Sequence, residues 1–195
     1  MIAELINILL VMQIFTLLNP LSSLPMLFMA YKNKLNVKRV SIQAVILALI
    51  IAITMILIGP LMFKLFGISI NAFRIAGGVV LFLLGIDTIR EKEEEEVEKA
   101  KPADSIIAII ATPMLTGPAT ISFLTIKTIE IGFIHVFLNL LIAFVLVFIV
   151  FYLLASMIPK LNRTIVGILS RILGLFLTAM ALEMMFNGLK GIFLI

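Results

Sequence analysis

Two pairs of prolines occupy corresponding places in the chain. Pro20 and Pro25 lie in Asn19-Pro20-Leu21-Ser22-Ser23-Leu24-Pro25, and Pro113 and Pro118 lie in Thr112-Pro113-Met114-Leu115-Thr116-Gly117-Pro118. Each pair stands five residues apart inside a long apolar run. Proline has no N–H and its ring clashes with the carbonyl four residues back, and it pushes the preceding residue out of the α region. Two so close free several backbone groups within about one and a half turns, and hydrocarbon offers those groups no partner. The spacing predicts a broken helix at each place, with Ser22, Ser23, Thr116 and Thr120 near the N-termini of the second half-helices. Such an end offers N–H donors and a positive dipole to a carboxylate, while freed carbonyls of the preceding half-helix take an ammonium or a cation. A zwitterion suits both ends. Asn19, Thr112 and Gly117 add an amide, a hydroxyl and room for close backbone approach. The plainer alternative is a kinked helix whose Ser and Thr heal the break. Paired interruptions in the two halves favour a binding site near the bilayer midplane.

The elements that carry these breaks follow from composition. Of 195 residues, 63% are hydrophobic and only 13% charged, against roughly 45–50% and 25% in soluble domains. Mean hydropathy is +1.26. A soluble domain is excluded, and the lipid bilayer is the chain's solvent. Six apolar segments stand out: Leu5 to Tyr31, Val40 to Phe63, Leu65 to Ile89, Ser105 to Ile126, Phe133 to Ile158 and Thr164 to Ile195. Each is long enough for a transmembrane helix of about 20 residues, and none alternates as a barrel strand does. The fold class is therefore an all-α membrane protein of six transmembrane helices. Met1 to Asn7 lacks the cationic start of a signal peptide, so the first segment is expected to stay in the mature protein.

Basic residues alternate between loops. Ten Lys and Arg lie in the loops after the first, third and fifth segments, and only Lys64, Lys127 and Lys190 lie on the other side. The positive-inside rule then expects a multi-pass protein of the cytoplasmic membrane with both termini extracellular. The net charge of +4 reads as topology, not as nucleic-acid binding. Arg90 to Asp104 is the one long polar stretch. Its Lys92/Glu96 and Glu95/Lys99 pairs read as a solvated helical extension ending before Pro102.

This charged linker, residues 91–104, separates two units, 1–90 and 105–195, of three segments each. Besides the prolines, Phe73-Arg74-Ile75-Ala76-Gly77 matches Ser170-Arg171-Ile172-Leu173-Gly174. The prolines repeat at an offset of 93 and the arginines at 97, and Asp87 and Glu183 follow their arginines at similar distances. Four matches in one order indicate duplication. With three spans per half, the second half enters from the opposite side, giving two inverted-topology three-helix repeats with broken helices 1 and 4.

Four charges lie inside segments. Asp87 reads as an interfacial partner of Arg90, and Arg74 and Arg171 as snorkelling or carbonyl-capping cations. Glu183 is the candidate coupling group, a protonatable carboxyl; the alternatives are a structural hydrogen bond or pairing with Lys190, two turns on. Gly77, Gly78, Gly85, Gly167, Gly174 and Gly188 form small faces suited to close helix packing. His135 receives no role. With no cysteine and one histidine, neither a thiol centre nor a metal cluster is expected, and no cofactor.

The Asn19-Pro20 and Pro25 motif, the run from Gly67-Ile68-Ser69 through Ala72-Phe73-Arg74-Ile75-Ala76-Gly77-Gly78, Thr112-Pro113, Thr116-Gly117-Pro118-Ala119 and Arg171-Ile172-Leu173-Gly174 resemble the MarC family of integral membrane proteins. The resemblance covers essentially the whole chain. It includes SnatA-type transporters of small neutral amino acids such as glycine and alanine, and it implies substrate bound at the breaks, at Asn19, Pro20, Gly117 and Pro118. The family often has a further glycine where this chain has Ala119.

The expected function is secondary transport of a small neutral amino acid by alternating access, coupled to a proton or sodium gradient. No phosphate-binding loop motif is present for ATP. An intramembrane enzyme would need a nucleophile with a base, or a metal, and no enzyme activity is expected. A gated channel or a non-transporting structural protein are the other readings. Small transporters are commonly homo-oligomers, and the sequence sets no number of copies.

Overall fold

The computed structural model describes residues 6–90, 103–110, 115–158 and 163–193. Among these residues it is all-helical, with eight α-helices: α1 (Ile8–Leu18), α2 (Leu24–Lys32), α3 (Val37–Phe66), α4 (Ile70–Arg90), α5 (Ala103–Ile109), α6 (Pro118–Ile131), α7 (Phe133–Met157) and α8 (Arg163–Phe193). A short 3-10 turn, Pro20–Ser23, joins α1 to α2. Helices α3, α4 and α7, and Arg171–Phe193 of α8, are long and apolar enough to cross a membrane. Large apolar side chains such as Leu57, Leu61, Phe66 and Leu175 stand more than half exposed on their outer faces, as they must where lipid is the solvent. The linker pairs Lys92/Glu96 and Glu95/Lys99 lie outside the described residues, as do Thr112 and Pro113.

Local chemistry explains the boundaries. Asn36 caps α3, accepting the Arg39 N–H at 3.1 Å. That helix runs past Lys64 to Phe66 and ends where Gly67 turns left-handed at φ 62°, a conformation that costs glycine nothing. Ser69 then caps α4, its hydroxyl oxygen accepting the Ala72 N–H at 3.1 Å. The third apolar segment thus becomes helical at Ile70, not at Leu65. Pro60 lies inside α3 without ending it.

The most extensive contact joins α4 to α8; α3 packs on α7 and α6, and α1 on α7. The α4–α8 pair runs antiparallel, because glycines early in α4 meet residues late in α8 and the reverse. Gly77 faces Met184, Gly78 faces Ala181 and Met185, and Gly85 faces Thr178 and Gly174. A Cβ on Gly85 would stand 2.9 Å from the Thr178 backbone nitrogen and 3.0 Å from the Gly174 carbonyl oxygen. One on Gly174 would stand 3.0 Å from the Gly85 carbonyl oxygen. The Thr178 hydroxyl and the Ile89 side chain also stand in the way, but the backbone atoms behind them cannot turn aside, so relief requires the helices to separate. The small faces read from the sequence do pack closely.

A polar contact fixes α1 to α7. Asn139, fully buried in α7, accepts the Asn7 N–H at 2.8 Å and donates its amide to the His135 carbonyl at 2.7 Å. Asn7 in turn caps α1, accepting the Leu10 N–H at 3.2 Å.

Gly85→Ala and Gly174→Ala should each destabilise the detergent-solubilised protein by about 1–3 kcal/mol through overpacking. Leu83→Ala, on an exposed position of α4, should stay within about 0.5 kcal/mol. Thermal melts of the three variants check this; equal melting temperatures would remove the glycine contact from the account.

Candidate functional site

Helix α1 stops where proline chemistry predicts. Asn19 adopts φ 35°, ψ 70°, and its N–H closes the helix on the Phe15 carbonyl. Asn is among the few non-glycine residues that tolerate this left-handed region. Pro20 follows at the start of the 3-10 turn, where a missing N–H does no harm. Asn19, Pro20 and Ser23 are buried, and Ser22 lies within the turn. Ser23 occupies the N-cap position of α2 but makes no side-chain cap hydrogen bond. Its hydroxyl oxygen is buried with no hydrogen-bond partner among the described residues. A buried hydroxyl left so costs about 1–3 kcal/mol, a penalty that a ligand or water would lift.

The second break has the same logic. Helix α5 ends at Ile109, and α6 begins at Pro118 with Gly117 as its N-cap. Gly117 sits at φ −69°, ψ 174°, which any residue can adopt, so glycine's value there is its missing side chain. Thr116 and Thr120 are buried, and the Thr120 hydroxyl donates to the Leu115 carbonyl at 3.4 Å. The Ser and Thr residues therefore stand at the beginnings of α2 and α6. Contacts of α1 with α6 and of α2 with α5 run the two interrupted stretches past each other.

Away from the breaks, a cavity of about 80 Å³ opens between α1, α4, α6 and α8. Glu183, the candidate coupling residue, is exposed and lines it beside Gln13, Arg74, Lys127, Glu130 and Asn187. Arg74 corrects the sequence expectation. Its guanidinium does not cap a carbonyl among the described residues: one Nη pairs with the Glu130 carboxylate and the other donates to Asn71 at 2.9 Å. Lys127 holds the second Glu130 oxygen at 2.8 Å. Glu183 forms no ion pair with Lys190 among the described residues, nor does Asp87 with Arg90. Glu130, Gln13 and Asn187 were missed by sequence reasoning; an acid three residues after Lys127 was the available signal. Among the described residues no three His, Cys, Asp or Glu side chains converge as a metal site would require.

Burial pushes the Glu130 pKa up, but hydrogen bonds and charge from Lys127 and Arg74 outweigh it and hold the carboxyl below its ordinary value of 4.5. Because the folded pKa is depressed, the pair stabilises the protein above the ordinary carboxylate range and fades as pH falls through the folded value. Glu130→Gln should therefore lower stability near pH 7 by up to about 1 kcal/mol, and the difference from wild type should shrink below pH 4.5. Melting curves of both proteins between pH 7 and 3.5 measure it; a pH-independent difference would contradict the ion pair.

Known proteins bear on this geometry at the level of the whole chain. The model of the MarC family integral membrane proteins matches residues 5–193. A UPF0056 membrane protein of Methanocaldococcus jannaschii is 33% identical over 190 residues, covering 91% of this chain and 93% of the relative. The UPF0056 membrane protein YvbG of Bacillus subtilis is 29% identical over 196 residues, covering 92% of each. The UPF0056 membrane protein YhcE of Escherichia coli is 28% identical over 193 residues, covering 92% of this chain and 90% of the relative. No solved structure matches. The full-length match, together with the apolar helices and the paired breaks, establishes that this chain belongs to the MarC family of integral membrane proteins.

Proposed function

We propose that this protein is a secondary transporter of a small neutral amino acid of the glycine or alanine type, working by alternating access in the cytoplasmic membrane. One observation carries the reading. Regular α-helix is interrupted in corresponding places of the two halves, between Leu18 and Leu24 and at Thr116-Gly117 ahead of Pro118, and buried polar groups surround the restarts. Half-helix ends at membrane depth supply what a zwitterion needs, N–H donors for its carboxylate and free carbonyls for its ammonium. Asn19, Pro20, Ser22, Ser23, Thr112, Thr116, Gly117, Pro118 and Thr120 form the proposed substrate site, and Glu183 the coupling group for H+ or Na+.

The transport cycle requires two units that rock against each other, and we propose that these are inverted three-helix repeats either side of the linker. The broken pairs α1–α2 and α5–α6 then count as spans one and four, completing six. Several helix contacts support this reading because they recur when the halves are exchanged. Helices α3 and α7 pack together, as do α4 and α8; α1 touches α7 as α5 touches α3, and α1 touches α6 as α5 touches α2. The motif glycines behave alike as well, since Gly77 and Gly174 each lie against the partner helix. The loop charges support an orientation with both termini outside.

The test is thermal stabilisation by each of the twenty amino acids, then counterflow of the best ligand in proteoliposomes. Selective stabilisation by glycine, alanine or serine is expected, since ligand binding to the native state raises apparent stability, with saturable exchange. Asn19→Ala and Gly117→Leu should fold yet be stabilised less than wild type by the same ligand. Flux that does not saturate would point to a channel instead; no stabilisation and no counterflow would overturn the amino-acid reading.

A further inference from the structure

The cavity at Glu183 is separate from the chain breaks, and its walls are chemically sided. Glu130 occupies Arg74 and Lys127 with one oxygen each. A guanidinium has five N–H donors and an ammonium three. Arg74 spends donors on Glu130 and Asn71, and Lys127 spends one on Glu130 while its charge lies 5.8 Å from the centre of the Phe123 ring. Both cations keep donors to spare. Glu183, on the α8 wall, has no hydrogen bond or ion pair among the described residues. Asn187 stands one turn further along α8, and Gln13 comes from α1. The four charged groups sum to zero, which suits a ligand that carries both signs. About 80 Å³ holds several waters or a ligand of a few heavy atoms, given that one water needs about 10–15 Å³.

We propose that this cavity is an additional binding site for a small zwitterion, with its ammonium on Glu183 and its carboxylate on the spare donors of Arg74 and Lys127. The inference rests on the amino-acid reading above and deepens it by adding a second site, on the side that the loop charges place outside. The charged groups that bear on Glu183 are few. Helix α4 brings Arg74 and, towards its far end, Asp87 and Arg90; α6 brings Lys127 and Glu130; α8 itself brings Arg171 and Lys190. Helix α1 and the 3-10 turn contribute none.

Equilibrium binding of radiolabelled glycine to the full-length protein in detergent tests the proposal. Wild type should bind two glycines, Glu183→Gln and Asn19→Ala one each, and Glu183→Asp two. Acetate or methylammonium, each of which meets only one wall of the cavity, should compete poorly for the glycine retained by Asn19→Ala. If Glu183→Gln fails to fold, the glycine count and the competition in Asn19→Ala still decide. A single site in wild type, unaffected by Glu183→Gln, would overturn the cavity site and leave the transporter reading intact. No glycine bound by any variant would overturn both.

Discussion

In hydrocarbon every backbone N–H and C=O must find a partner within the protein, and the rest of this structure depends on that constraint. It makes helix compulsory along the apolar segments, and it makes each interruption expensive unless something meets the freed groups. The chain breaks helix at Asn19-Pro20 and before Pro118 nonetheless. Around those points it gathers side chains that can hydrogen-bond, Ser23, Thr116 and Thr120 among them, and buries them. The Thr120 hydroxyl meets one carbonyl, while the buried Ser23 hydroxyl has no partner among the described residues.

Interruptions of this kind need a rigid frame, and here small residues supply it. Lipid is as apolar as leucine, so helices in a bilayer are held by close packing more than by a hydrophobic drive. Gly85 and Gly174 let the α4 and α8 backbones meet with no room for a methyl group between them. Buried Ala44, Ala48 and Ala52 give α3 a small-residue face within the bundle. Asn139 adds one directional tie, to the start of α1.

How far the fold was legible follows from which interactions are local. Proline pairs, apolar length and loop charge are local properties, and they give the helices and the two breaks. The end of α3 was misplaced because Gly67, not Lys64, provides the left-handed turn. Arg74 was misread because its partner, Glu130, lies 56 residues away, and no helical spacing announces such a pair. The cavity stayed invisible for the same reason: Gln13, Arg74, Glu130 and Glu183 come from four helices, and each alone looks like an isolated polar residue in an apolar run.

The same long-range pairing governs how the chain must be built. Helix α4 meets its main partner only when α8 has been made, and Asn7 finds Asn139 across 132 residues. At roughly 5–20 residues per second of synthesis, the glycine face of α4 waits on the order of 5–20 seconds in lipid before α8 covers it. Contacts so distant in sequence also close slowly. The nascent first half is thus exposed to whatever other small-faced helices share the membrane, and the interval before the last helix enters is when assembly is most open to error.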